Sequence, residues 1–242
     1  MKFGGQRLAG LKRITEPYVL LCEGQHDSEF FTHLIGIHGL PKFEVCSVNY
    51  VMNGNHGGNS RFRDALDALV AKPGFQQVQK ILIAADSDFP APPGASPRNS
   101  FTDVVAQIDS TAPIIGPPRS KFAAPAAPLQ KAGSNPSVVV LMVPWPGTPG
   151  NLDTMCLTAA RNHSNSAFVS CVDSFSQCVG ADQWASESAR TKMKLRCHLS
   201  ASWKDDPAIS PTYVWSKNTN LVPLTDPVFS SIVGFLRDFP NL

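Results

Sequence analysis

The stretch Tyr18-Val-Leu-Leu-Cys-Glu-Gly-Gln-His-Asp27 decides how the rest of the chain is read. Its first five residues form an apolar run with no polar alternation, too short for a helix and soon followed by Gly24. That is the pattern of a strand buried on both faces. Phe30, Phe31, Leu34, Ile35 and His38 then recur at three- and four-residue spacings, so a helix follows at once. Asp27 and Ser28 stand where that helix begins, where a side-chain oxygen can cap backbone N–H groups.

Working outward, Phe43–Val51 reads as a second strand, and Asn53-Gly-Asn-His-Gly-Gly-Asn-Ser60 as a loop. Phe62, Ala65, Leu66, Leu69 and Val70 mark a helix, and Lys80–Ala85 is another apolar strand. Three strand-helix repeats imply an α/β fold: a doubly wound, mainly parallel sheet with helices on both faces. Proline and glycine dominate Phe89–Pro97. A short helix is expected over Phe101–Ile108 with Ser100 as its cap, and residues 111–137, rich in proline and alanine, read as a long excursion. Val138–Val143 is a further buried strand. Leu152–Ala160, Ala167–Val179, Glu187–His198 and Pro227–Phe239 look helical. The expected division is therefore an α/β domain over residues 1–160 and a helical C-terminal extension over residues 161–242, packed on it.

Composition excludes several classes. A 43% hydrophobic content across 242 residues supports a large core and argues against general disorder. A net charge of +2 is too small to indicate nucleic-acid binding by itself. No apolar run reaches the roughly 18 residues of a spanning helix, and the start Met1-Lys-Phe-Gly-Gly-Gln-Arg7 lacks the apolar core of a secretory signal, so a cytoplasmic protein without membrane partners is expected. The six cysteines form no Cys-x-x-Cys pair, which speaks for reduced, buried thiols rather than zinc or disulfides.

Charge appears where the apolar runs stop. Glu23 ends the first run, and Asp86-Ser-Asp88 ends the run Ile81-Leu-Ile-Ala-Ala. Side chains two apart in a strand face the same way, about 6.6 Å apart, and neighbouring strands lie roughly 4.8 Å apart. If the two strands pair, three carboxylates meet, repel one another, and suit a hard cation such as Mg²⁺ or Mn²⁺ with oxygen ligands. Taken singly, Glu23-Gly24 reads as a strand end whose glycine permits a positive φ, and the two aspartates as loop carboxylates bonded to nearby backbone. Asp153 begins a helix and suits either a second metal or the positive helix terminus. Arg190, Lys192, Lys194 and Arg196 form a basic run on one helix, with Lys192 or Lys194 suited to phosphate contact. His56 and the glycines around it suit either a phosphate cradle or an ordinary turn.

A strand ending in Glu-Gly with an Asp three residues after the Gly, followed by a strand ending in Asp-x-Asp, resembles the toprim domain. Bacterial primases, type IA and type II topoisomerases, OLD-family nucleases and small RNA-maturation nucleases share that domain. The resemblance implies a toprim-like sheet in which Glu23 performs general acid/base work, Asp86 and Asp88 hold Mg²⁺, and Asp27 is the motif's further acid. It spans residues 17–90 by motif and extends to about residue 160 by topology. Gly150-Asn-Leu-Asp-Thr-Met-Cys-Leu157 and Lys192-Met-Lys194 are similar to segments of compact, stand-alone toprim-like families. The zinc-binding region of primases and the strand-passage and tyrosine-bearing regions of topoisomerases have no counterpart here.

The expectation is a Mg²⁺-dependent phosphoryl-transfer enzyme, a nuclease on DNA or RNA. Glu23 and Lys192 are its catalytic residues, and Glu23, Asp27, Asp86, Asp88 and Asp153 its metal-facing acids. The alternative is a toprim-like module that binds metal, nucleotide or nucleic acid without turnover. Nucleic acid is the expected partner, and a second copy or another protein partner stays open.

Overall fold

The computed structural model describes residues 10–54, 61–87, 100–112, 122–164, 166–184, 186–217 and 220–242. Among them the order is β1 (Tyr18–Cys22), α1 (Gln25–Ile37), β2 (Glu44–Ser47), α2 (Val48–Val51), α3 (Phe62–Val70), β3 (Lys80–Asp86) and α4 (Ser100–Asp109). Then come β4 (Lys131–Ala132), β5 (Ser137–Val143), α5 (Leu152–Asn162), α6 (Ser166–Cys178), α7 (Glu187–Ser202) and α8 (Ser230–Asp238). The strands form one mostly parallel sheet in the order β2-β1-β3-β5-β4, so the chain is α/β as its apolar runs predict. The central strand β1 pairs in parallel with β2 and with β3, Cys22 standing opposite Ser47 on one side and Ala84 on the other. The short β4 closes the far side antiparallel to β5, with Lys131 opposite Val139.

Two compact units can be distinguished. The first takes the described residues within 1–28, 42–85 and 100–142 and contains nearly all of the sheet. Val19, Leu21, Ile81, Ile83, Val138 and Val140 share one core with Phe62, Leu66 and Leu69 of α3 and with Val104 and Ile108 of α4. The alternate residues Leu20, Leu82, Val139 and Leu141 are just as buried, so these strands keep apolar side chains on both faces. Helix α3 joins because Phe62, Ala65, Leu66 and Leu69 lie on one stripe, while Arg61 bonds Asp64 at 2.9 Å on the solvent side.

Three expectations are corrected here. Phe43–Val51 is not one strand: β2 stops at Ser47, whose side chain accepts the Tyr50 N–H at 3.3 Å and starts the one-turn helix α2. The excursion over residues 111–137 is partly tied back, since Phe122 is buried against Phe75 with ring centroids 6.2 Å apart, and β4 lies within it. Pro227–Phe229 is a 3-10 turn capped by Asp226, and the α-helix begins only at Ser230. The loop with His56 lies outside the described residues, as does the capping side chain expected at Ser100.

The second unit takes the described residues within 29–41, 86–99 and 143–242. Its aromatic centre is Phe30, with ring centroids 5.0 Å from Phe31, 5.6 Å from Trp215 and 5.2 Å from Phe229. Trp215 Nε1 donates to Val222 O at 3.0 Å, so its one polar atom is satisfied. Asp226 is buried; burial alone would raise its pKa, but hydrogen bonds from the Val228 N–H and Asn162 Nδ2, with the His163 ring at 3.1 Å, hold it below the ordinary value. No helix among the described residues is long and apolar enough to cross a membrane.

Gly74 lies at φ +89, and an added Cβ would stand 2.1 Å from the Ile14 carbonyl oxygen; Gly39, at φ +57, has nothing within 4 Å of that position. Gly39→Ala should therefore cost about 1 kcal/mol from its left-handed backbone alone. Gly74→Ala should cost clearly more, about 2 kcal/mol or above, because Ile14 must also move. Denaturant midpoints of the two variants compare them directly.

The folded pKa of Asp226 lies below its unfolded value of about 3.9, so its stabilisation is complete above that pH and fades as pH falls toward the folded value. Asp226→Asn should lower the melting temperature near neutral pH and flatten its decline between about pH 5 and pH 3, as followed by calorimetry.

Candidate functional site

In the first unit, β1 ends at the buried Cys22, and the half-buried Glu23 follows it. Helix α1 starts two residues later. Asp27, in its first turn, reaches back so that Oδ2 accepts the Gly24 N–H at 2.9 Å. That is one half of a capping box, and it places a carboxylate at a positive helix terminus. Gly24 does not lie in the left-handed region, so the positive-φ explanation for this glycine fails; a Cβ there would only touch Asp27 Oδ2 at 3.4 Å.

The thiol of Cys22 reports the local field. Burial pushes its pKa well up, and the neighbouring Asp27, Cys46 and Glu23 add to the effect. Cys46 is pushed up by burial and by Glu44. Both are protonated, inert core thiols rather than nucleophiles.

In the second unit, Asp86 ends β3 and its Oδ1 accepts the Leu152 N–H, the first of α5, at 3.0 Å. Ser87 ties the same turn together: its N–H donates to Val143 O at 2.8 Å and its hydroxyl to Gly150 O at 3.0 Å. Asn151 caps α5. Its Oδ1 accepts the Thr154 N–H at 3.1 Å, while Thr154 Oγ1 accepts the Asn151 N–H at 3.2 Å. Asn151 Nδ2 then donates to Ser188 Oγ on α7 at 2.8 Å. Gly150 has φ +106, and an added Cβ would lie 2.6 Å from Thr154 Oγ1, so this turn needs glycine.

Asp153 is buried in the first turn of α5, and Lys192 Nζ of α7 stands 3.8 Å from its Oδ2. Asp86, Asp153 and Lys192 thus gather at one helix start. The basic run does not act as a single face: Lys194 lies 3.5 Å from Asp173, which also holds Arg161, and Arg190 contacts Glu187 and donates to Asp182 O and Trp184 O, both at 3.1 Å. Residues two apart on a helix point to nearly opposite sides, which separates Lys192 from Lys194.

The sheet register relates the two acidic strand ends. Cys22 is the parallel partner of Ala84, so β1 and β3 leave the sheet at the same carboxyl edge, Glu23 after one and Asp86 at the end of the other. Oxygen-only donors of this kind suit Mg²⁺ or Mn²⁺. Among the described residues, however, no three of His, Cys, Asp or Glu stand together as a ready metal cage. Asp88 lies outside the described residues.

The family described as "Protein of unknown function (DUF3226)" matches residues 17–241, nearly the whole chain. The chain belongs to the DUF3226 family. No curated protein and no solved structure matches it. In this DUF3226 chain, sequence reasoning missed Ser87, Asn151, Thr154 and Ser188, which build the turn around Asp86. The spacing Asn151-x-x-Thr154 carries a capping signal that could have found two of them.

Iodoacetamide near pH 8 should modify the exposed Cys171 and Cys178 and spare Cys22 and Cys46 in the folded protein, as peptide mass mapping would show. Rapid modification of Cys22 would contradict the buried end of β1.

Proposed function

We propose that this chain is a Mg²⁺- or Mn²⁺-dependent phosphoryl-transfer enzyme, a nuclease acting on DNA or RNA phosphodiesters, built on a doubly wound, toprim-like sheet. The observation that carries the reading is the parallel register of β1 and β3, with Cys22 opposite Ala84 and the acids following at one edge. Ligands in open α/β sheets bind beyond the carboxyl ends of the strands, where charge is no longer confined by core packing.

In this reading Asp86 and Asp88 hold the cation directly or through its waters, with Asp153 as a further acid at the start of α5. The bound cation supplies charge neutralisation and polarisation of the phosphate. Glu23 accepts a proton from the attacking oxygen or returns one to the leaving oxygen. Asp27, fixed on the Gly24 N–H, keeps the loop after β1 in place and adds negative potential. Lys192, drawn to Asp153, offsets charge that develops on the phosphoryl oxygens.

A second reading has its own support. Asp86 accepts a backbone N–H and Asp153 faces Lys192, both arrangements a purely structural helix cap would use. These arrangements are equally compatible with a metal- or nucleic-acid-binding module without turnover.

Incubation of labelled DNA and RNA with Mg²⁺ or Mn²⁺ should give cleavage that a chelator stops. Glu23→Gln and Asp86→Asn should each slow it by about 100-fold or more, and Lys192→Ala by about tenfold. Cleavage that survives both acid substitutions would reject the site. Tight Mn²⁺ binding with no cleavage of any polynucleotide would select the module instead.

A further inference from the structure

At the opposite edge of the sheet, where β3 and β5 begin, the first unit contains an open pocket of about 370 Å³ lined by Gln79, Lys80, Lys131, Gly133, Ser134, Asn135 and Ser137. We propose that this pocket is a binding site for a small phosphate monoester, its dianion held between the ammonium groups of Lys80 and Lys131. The site does not depend on the chemistry proposed at the carboxyl edge. The seven residues of β3 put the two edges roughly 20 Å apart.

The pocket is framed by backbone pairing. The Ser137 N–H donates to Gln79 O at 3.0 Å, which joins the starts of β5 and β3, and Lys131 enters through the antiparallel pairing of β4 with β5. Gly133 turns the chain between β4 and β5 at φ +71, where a Cβ would already press on Ala123 at 3.2 Å. Lys80 Nζ sits 6.0 Å from the centre of the Tyr18 ring, which restrains a long side chain before any ligand arrives.

The charge pattern specifies the ligand. Among the described residues the lining carries two cations and no carboxylate, with serine, asparagine and glutamine side chains as neutral hydrogen-bonding groups. Partial burial, and then the nearby Lys131 charge, lower the Lys80 pKa, so the two ammonium groups stand close enough to repel. An anion between them relieves that repulsion, and a doubly charged one matches both. The volume falls within the roughly 300–1,000 Å³ of small-molecule sites, enough for a phosphate carrying a sugar or nucleoside but not for a polymer enclosed along its length.

Calorimetric titration of the full chain with inorganic phosphate, a sugar phosphate and a nucleoside 5′-monophosphate distinguishes the free anion from a monoester with an organic body. The two monoesters should bind with Kd on the order of 1 mM or tighter and more tightly than inorganic phosphate. Lys80→Gln and Lys131→Gln should each weaken binding roughly tenfold or more, with far-ultraviolet dichroism and melting temperature confirming the fold. The Lys80 ε-carbon signal should also titrate at higher pH when the ligand is present. Unchanged affinity in both variants, no saturable monoester binding in the millimolar range, or binding only of a 5′-phosphorylated oligonucleotide would each overturn the proposal.

Discussion

Tyr18–Cys22 and Lys80–Ala84 pair in parallel at the middle of a sheet whose strand interiors are buried on both faces, so beyond Lys80 at the start of β3 neither strand carries a charge until its carboxyl end. Parallel pairing then makes both strands leave in the same direction. Glu23 and Asp86 therefore occur at the carboxyl edge for a reason rooted in core packing, and the sheet order β2-β1-β3-β5-β4 keeps β1 and β3 adjacent. A one-residue slip between them would exchange the side chains packed on the two faces, which the close packing of both cores resists.

Beyond the sheet, helix starts decide what the acids do. The first turn of a helix leaves backbone N–H groups without partners, and a carboxylate there both satisfies a donor and meets the positive end of the helix dipole. Asp27 takes the Gly24 N–H at α1, and Asp86 takes the Leu152 N–H at α5. These bonds hold the acids in defined positions, which suits a site that must be preorganised. They also stabilise the fold directly, so geometry at rest supports a structural role as well as a catalytic one.

The long apolar strands were legible in the sequence because burial on both faces leaves an unmistakable run of aliphatic residues at β1, β3 and β5. Helix α2 was not legible. Val48–Val51 contains enough apolar residues to extend a strand, whereas the Ser47 hydroxyl accepting the Tyr50 N–H and the Met52 N–H donating to Val48 O hold it as a helical turn. Two-residue β4 and the buried Phe122 lie in a stretch whose proline and alanine content masks the few contacts that tie it down. At the site, single positions such as Asp86 were visible as charge at the end of a run. The pairings of Asp86 with the Leu152 N–H and of Asp153 with Lys192 were not, because they join chain segments far apart in sequence and exist only after folding.

The central claim is that the carboxyl edge of β1 and β3 is a cation site. A crystal soaked in Mn²⁺, measured at the manganese absorption edge, addresses it without reference to any substrate. The account predicts an anomalous peak with carboxylate oxygens of Asp86 and Asp88 at about 2.1 Å or one water further away. A soak that places no manganese beside Asp86, its carboxylate still accepting the Leu152 N–H, would contradict the claim.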